Sequence, residues 1–331
     1  MRQRLLLIIL TCLLPVIFAL DMTVGSVDIS ISQIIAILSG DRSDPAATTI
    51  ILNLRLGKAI VALLVGAALS VSGLEMQTLF RNPLAGPYVL GISSGASLGV
   101  AIFILGAPLA GITGWISTFG IAGAAWIGAA IILTVIGIVG QRIKDIMVIL
   151  ILGMMFSSGV GAIVQILQYL SREEALKSFV VWTMGSLGDV TESQLMLLSA
   201  AVAAGTLLAV LAIKPLNLLL FGEEYARSMG TSIKALRVGL FTSTVLLAGT
   251  VTAYCGPIGF IGLAVPHVAR MMAASSDHRI LVPASFLTGA IIMLICDMLS
   301  KQYALPVNAI NALFGLPIVI WVVLRNKSIT V

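Results

Sequence analysis

Charge is what this sequence has least of. Of its 331 residues only 10% are Asp, Glu, Lys or Arg, where an ordinary soluble domain carries about 25%. So few charges cannot build a water-facing surface, and a chain that is 59% hydrophobic holds more apolar side chain than its own interior could enclose. Cysteine is scarce too. Cys12, Cys255 and Cys296 lie far apart in apolar stretches, with no CxxC pair and no even-numbered framework, which excludes a disulfide scaffold and a thiolate metal site. The only two histidines, His267 and His278, fit no HExxH or other ligand spacing. No GxxxxGK[ST] occurs, so the chain has no phosphate-cradling loop of its own. The formal charge of +5 is scattered, with neither a basic block nor an aromatic-interleaved stripe, and nucleic acid is excluded as a partner.

What the chain has in abundance is hydrophobicity. Its mean hydropathy is +1.12, and lipid is the solvent that suits it. Apolar segments run at 5–20, 56–80, 88–107, 113–140, 146–170, 194–213, 237–256, 258–274, 280–299 and 305–324, each close to the length of about 20 residues that a bilayer requires. They predict an all-α polytopic membrane protein of ten transmembrane helices, a single domain over 1–331. The first run follows Met1-Arg2-Gln3-Arg4 as a signal peptide would, but no small-x-small cleavage site follows it, so it reads as a retained first span. A polar stretch then extends to Thr49, within which 31–38 is expected to form a short helix on the membrane surface. The breaks have causes: Asn82-Pro83, Gly86-Pro87, Pro108, the polar turn at 141–145, Lys214-Pro215, Gly256-Pro257, Asp277-His278-Arg279 and Lys301.

Basic residues orient the bundle. With the N-terminus inside, the inner segments hold thirteen Lys and Arg and the outer ones six, namely Arg42, Arg55, Lys58, Arg172, Lys177 and Lys301. The bias predicts a multi-pass protein of the cytoplasmic membrane with both termini in the cytoplasm. Five spans plus five would set any internal duplication in opposite topology, an inverted five-helix repeat.

Few groups inside the spans could do chemistry. Gly91, Gly95 and Gly99 recur every four residues and lay a smooth groove along one helix face, suited to close helix packing in lipid. Glu75 and Asp297 are the only deep acids, a poor set for a proton- or sodium-coupled carrier. For Glu75, snorkelling or a local bond to Gln77 or Asn82 is the expected satisfaction. Gly91-Ile92-Ser93-Ser94-Gly95 matches the G-x-S-x-G nucleophile elbow, which raises an intramembrane serine hydrolase with His267 as base. That motif requires a strand-to-helix turn, however, and this copy opens a membrane helix. Met154, Met155 and Gln165, and the stretch near Pro266-His267, are candidates to line a pathway.

The most informative polar segment lies at 214–239. Glu223 and Glu224 fall in the first turn of a short helix, where the macrodipole favours anions; Arg227 lies toward its end, and Gly230 supplies a left-handed C-terminal cap. Thr231 or Ser232 then caps a second helix. Two short helices with a sharp bend between them make a knob that would fit a groove on a partner.

These residues, with others in order along the chain, resemble the permease subunits of type II ABC importers, the FecCD/BtuC-like family that takes up iron-siderophores, haem and vitamin B12. The resemblance rests on Val65-Gly66-Ala67-Ala68-Leu69-Ser70-Val71-Ser72-Gly73, Gln77, Arg81-Asn82-Pro83-Leu84-Ala85, Pro87 and Leu90-Gly91-Ile92-Ser93-Ser94-Gly95-Ala96. It rests equally on Gly222-Glu223-Glu224 with Ala226 and Gly230, on 256–270, on Asp277-His278-Arg279, and on Leu305-Pro306-Val307 and Gly315-Leu316-Pro317 with Trp321.

The resemblance implies a ten-helix subunit that pairs with a copy of itself or a homologous permease, with two cytoplasmic ATPase subunits below and an extracytoplasmic solute-binding protein outside. It implies that Gly222, Glu223, Glu224, Ala226, Arg227 and Gly230 form the ATPase-coupling elbow. Arg55, Lys58 and Lys301 are then the cations that grip the binding protein, and Lys144, Asp145, Ile146 and Met147 the cytoplasmic gate. No cofactor or metal is expected, ATP being bound by the partner. The expected activity is translocation of an iron chelate, siderophore or haem, with vitamin B12 as the alternative cargo, and no catalysis by the chain itself.

Overall fold

The computed structural model describes residues 2–25, 27–106, 116–140, 143 and 145–325. Among these, fourteen helices and no strand are present. In chain order they are α1 (Arg2–Thr23), α2 (Ile31–Leu38), α3 (Pro45–Leu79), α4 (Ile92–Gly106), α5 (Ile116–Gly140), α6 (Ile146–Leu170), α7 (Glu173–Thr183) and α8 (Glu192–Leu211). There follow α9 (Ile213–Leu219), α10 (Glu223–Ser228), α11 (Ile233–Cys255), α12 (Ile261–Ala273), α13 (His278–Tyr303) and α14 (Val307–Arg325). Six are long and apolar enough to cross a membrane: α1, α3, α6, α8, α11 and α13. Four shorter apolar stretches, in α4, α5, α12 and α14, occupy the remaining four predicted positions. The protein is a polytopic helical membrane protein.

The bundle is built around α3. From Val65 to Leu79 every residue of this helix is buried, because its neighbours surround it: α13, α12, α8 and α11 all pack on it. Its sequence allows this, since Gly, Ala and Ser on all sides leave no bulky ridge. A Cβ at Gly66 would overlap the carbonyl oxygen of Gly289 in α13, and one at Gly73 that of Gly262 in α12. Ser70 Oγ reaches across to the Ser285 carbonyl at 2.7 Å. The glycine groove of α4 is occupied in the same way, with Gly95 against Gly128 and Gly99 against Ala124 of α5. Large apolar side chains point the other way. Ile8, Ile9 and Val16 of α1, Met155 and Ile166 of α6, and Leu207 and Leu211 of α8 are exposed, as a lipid-facing surface requires.

One expected boundary moves. The polar stretch predicted to reach Thr49 ends earlier, because Asp44 accepts from Ala46 N and Ala47 N at 3.0 Å and Pro45 takes the first helical position, so α3 starts there and passes through a π-helical stretch at Ile50–Leu56. The surface helix at 31–38 forms as predicted, capped by a reciprocal pair between Ser30 and Gln33. Glu75 is not satisfied by snorkelling or by Gln77 or Asn82. It is fully buried, since a helix enclosed by other helices has no interface to reach; Gln77 bonds Leu263 and Arg270 instead, and the Asn82 side chain accepts from Leu84 N.

The short length of α4 also has a cause. After α3 the chain turns at Arg81, which adopts a left-handed conformation (φ 48°), and runs back into the bundle. Pro87 lies against Gly262 beside the Leu69 carbonyl, ten residues before the end of α3, or about 15 Å up the helix at 1.5 Å per residue. Non-helical backbone at such depth is tolerated where it is buried in protein, so α4 starts part-way across.

Candidate functional site

One end of the bundle carries the elbow. Helix α9 ends at Leu219 with Leu216 and Leu219 buried; Gly222 (φ 111°) then breaks direction and opens α10. Ala226 is fully buried and seats α10 on the bundle. Gly230 (φ 83°) donates to Arg227 O at 2.9 Å, and Thr231 N to Ala226 O at 2.9 Å, a left-handed helix stop of the kind glycine permits. Ser232 caps α11 by accepting from Ala235 N. Glu223 lies 2.7 Å from Arg237 of α11 and 3.8 Å from Arg227, which also reaches Glu224 at 3.7 Å. The Glu223–Arg237 pair fixes α10 against the start of α11, which is not the second short helix expected from the sequence but the first turns of a 23-residue span. Outward the elbow presents Phe221 (74% exposed), its ring tilted against Tyr225 at 5.3 Å, together with exposed Met229.

A polar lattice fastens this elbow to the spans. Asn217 of α9 donates its amide to Asp277 Oδ1 at 2.7 Å, and its Oδ1 faces both the backbone N (2.9 Å) and the Nδ1 (2.8 Å) of His278, the first residue of α13. His278 Nε2 lies 2.9 Å from the Thr78 hydroxyl of α3. Beside it Arg270 of α12 bonds Gln77. Asp277, outside the span, has its carboxyl held below the usual aspartate range, first by the N–H of Arg279 and then by the Asn217 amide.

The opposite end carries a charge cluster. Asp297 of α13 lies 3.1 Å from Lys58 and 2.6 Å from Lys301, and Lys301 reaches Asp21 of α1 at 2.9 Å. Both aspartates are fully buried. Arg55 donates to the carbonyls of Met22 (2.9 Å), Thr23 (3.1 Å) and Val27. The cations singled out in the sequence are thus brought together here, turned largely inward, with Lys58 the most open at 25% side-chain exposure. Asp21, read from sequence as part of a polar stretch, is the partner that pattern alone missed; its position one helical turn from the end of a span, opposite so many outer cations, was the available signal.

Of the gate residues, Lys144 lies outside the described residues, as does the side chain of Ile146. Asp145 caps α6 by accepting from Met147 N at 2.8 Å, and the Met147 side chain is exposed. Among the described residues Ser93 and His267 form no hydrogen bond with each other. His267 Nε2 lies 2.7 Å from the Pro83 carbonyl, which only accepts, so this nitrogen carries a proton and is no base. Helix α7 was missed in the sequence, although Glu173 and Glu174 in its first turn were the sign of a helix start.

Comparison with known proteins agrees with this geometry. The FecCD transport family matches residues 12–325. The hemin transport system permease protein HmuU of Yersinia pestis is 34% identical over 99% of this chain and 97% of its own length. The vitamin B12 import system permease protein BtuC of Klebsiella pneumoniae is 35% identical over 83% of this chain and 82% of its own. Among solved structures, one described as an inward-facing metal-chelate type ABC transporter superposes with a TM-score of 0.84 at 28% identity, covering 96% of this chain and 98% of that one.

Proposed function

This chain belongs to the FecCD transport family, and from that premise we propose that it is the permease subunit of an ATP-driven importer that passes an iron chelate, a siderophore or haem, across the cytoplasmic membrane. It is a transport subunit, not an enzyme. The observation that carries the reading is the elbow: the short helix α10, braced on the first turns of the span α11 by the Glu223–Arg237 pair, presents Phe221, Tyr225 and Met229 on a rigid frame. Exposed aromatic anchors with a charged rim are what a protein partner's groove recognises. That partner is a separate ATPase subunit, one beneath each elbow of a pair of permeases, most simply two copies of this chain. Closure of the ATPases on ATP pushes the elbows, and the lattice of Asn217, His278 and Thr78 hands the motion to α13 and α3.

The excess of Lys and Arg on the elbow side supports a cytoplasmic position for the elbow and both termini. A solute-binding protein then docks on the opposite face near Arg55, Lys58 and Lys301, with Lys58 the cation most open to a carboxylate. The turn at Lys144, Asp145, Ile146 and Met147, on the elbow side, is the proposed gate. Vitamin B12 is the second reading for the cargo, favoured by the likeness to the Klebsiella B12 permease.

Deleting Glu223 to Gly230 is expected to abolish co-purification with the ATPase subunits while the chain still inserts into the membrane. Retained association overturns the assignment. ATP-driven uptake into vesicles, compared between ferric chelates, haem and cobalamin, decides the cargo.

A further inference from the structure

At the elbow end of the bundle a cavity of about 230 Å³ opens between the end of α3, the root of the elbow, α12 and the start of α13. Six polar residues line it, Gln77, Thr78, Arg81, Arg270, Ser276 and His278, together with three apolar ones. Two of them are arginines and none is an acid. The neutral groups of the wall are largely spent on one another. Gln77 accepts from Arg270 at 2.5 Å and donates to the Leu263 carbonyl, Thr78 meets His278 Nε2, and the other ring nitrogen faces Asn217. What is left over is cationic. A guanidinium offers five N–H donors. Arg270 uses one nitrogen on Gln77, and its other donors meet no acceptor among the described residues. The Arg81 guanidinium meets none there either. Asp277, beside His278, turns its Oδ1 to the Asn217 amide and the Arg279 N–H instead.

The backbone singles out the same place. Arg81 ends α3 with φ 48°, its N–H donating to Thr78 O and that of Asn82 to Gln77 O, both at 3.2 Å. A helix stop of this form ordinarily takes glycine, because a side chain on left-handed backbone is strained. A strained arginine at the mouth of a cavity is a side chain held where a ligand can use it. Arg270 is half-buried, and a cation withdrawn from water without a counter-ion costs free energy. The ligand that fits this lining is an oxyanion, which a guanidinium fork grips through paired N–H bonds.

Position favours a lipid as its source. The cavity lies where α3 ends and α13 begins, at the headgroup level of two spans. Leu220 of its lining is exposed, and so are Leu84 and Met271, next in sequence to the lining residues Pro83 and Arg270. Acyl chains need such apolar neighbours, whereas a free phosphate does not. We propose that this cavity holds the phosphate of an anionic phospholipid of the cytoplasmic leaflet, clamped by Arg81 and Arg270. The proposal rests on the reading of the chain as a permease, which sets the elbow in the cytoplasm, the side on which basic pockets between spans take anionic headgroups. A zwitterionic lipid brings an ammonium group that this lining has no acid to meet. Because a Cβ at Gly222 would stand 4.0 Å from Arg81, the lipid sits at the root of the elbow and braces it against α3 and α13.

The test uses the permease assembled with its ATPases in membranes of mixed phosphatidylcholine and phosphatidylglycerol. Native mass spectrometry of the extracted complex should show phosphatidylglycerol retained on the permease. Arg270→Gln and Arg81→Gly should each lower that retention at least ~10-fold, the effect of losing one charge-assisted contact. Arg279→Gln, which removes an exposed cation at the same end but outside the cavity, should keep it. Arg81→Gly relieves the strained backbone while removing the guanidinium, so lipid lost from that variant is not a failure to fold. In phosphatidylcholine alone the thermal midpoint of the complex should fall, and phosphatidylglycerol but not inorganic phosphate should restore it. Restoration by phosphate would assign the cavity to a free anion and overturn the lipid. Unchanged retention in both cavity variants overturns the site. Lost ATPase association with lipid still retained overturns it too, since the cations would then serve a carboxylate of the ATPase. The native chain still co-purifies with its ATPases if the elbow assignment holds, whatever lipid it retains, so the two readings fail separately.

Discussion

The side-chain oxygen of Asn217 accepts from both the backbone and the ring of His278, at 2.9 and 2.8 Å. Because Asp277 takes the amide nitrogen of Asn217, and a carboxylate only accepts, the orientation of that amide is fixed. His278 Nδ1 must then carry the proton. One asparagine on the approach to the elbow thus holds the first turn of a membrane span, and under the proposed function it is the joint that a push on the elbow would load.

Asn217→Leu leaves the His278 ring and its N–H without their acceptor. The expected loss is about 1–3 kcal/mol of stability for a buried donor left unsatisfied, read as a lowered thermal midpoint of the detergent-solubilised chain. Cargo uptake should fall more steeply than ATPase association, since the elbow surface itself is untouched. Asn217→Asp is expected to be worse, because it sets a second carboxylate against Asp277.

Acid should loosen the same joint. The Asp277 carboxyl sits below its ordinary value of 3.8 because it accepts from Arg279 N and Asn217. A group whose folded pKa is depressed contributes stability above its unfolded pKa, and that contribution disappears as pH falls through the folded value. The thermal midpoint should therefore drop below about pH 4 by more in the native chain than in Asp277→Asn. Parallel acid profiles for the two would remove Asp277 from the account.

Lys301→Met strips Asp21 and one oxygen of Asp297 of their cation while both carboxylates stay buried. Breaking a buried pair from one side costs about 3–5 kcal/mol, so the chain should unfold earlier or accumulate poorly in the membrane. Adding Asp21→Asn should recover part of the loss. A double mutant no more stable than Lys301→Met would show that the two groups are not coupled.

Gly73→Ala places a methyl group on the backbone of Gly262, and neither helix can yield without moving α3 or α12. Overpacking costs typically about 1–3 kcal/mol, and backbone-to-backbone overlap should fall at or beyond the upper end. Gly239→Ala in α11, where the added methyl meets open space, is the matched control. Equal melting of the two variants would contradict the close crossing.

Much of this was legible along the chain. The apolar runs located ten membrane segments and Gly230 marked the bend of the elbow, because each is a local rule: solvent transfer and a left-handed backbone position. Spacing in the sequence could not say that Asp21 and Lys301, 280 residues apart, meet at one rim, nor that Gln77 turns to Arg270 and leaves Glu75 enclosed. It could not show that the chain re-enters the bundle at Pro87 and so leaves Ser93 and Ser97 facing a cavity. Burial of a polar group depends on which helices surround it, and that is decided when α3 is enclosed on all sides. The sequence alone determined that the chain lives in lipid and bends at its elbow; packing alone determined which of its few polar groups are sealed against one another and which line an open cavity.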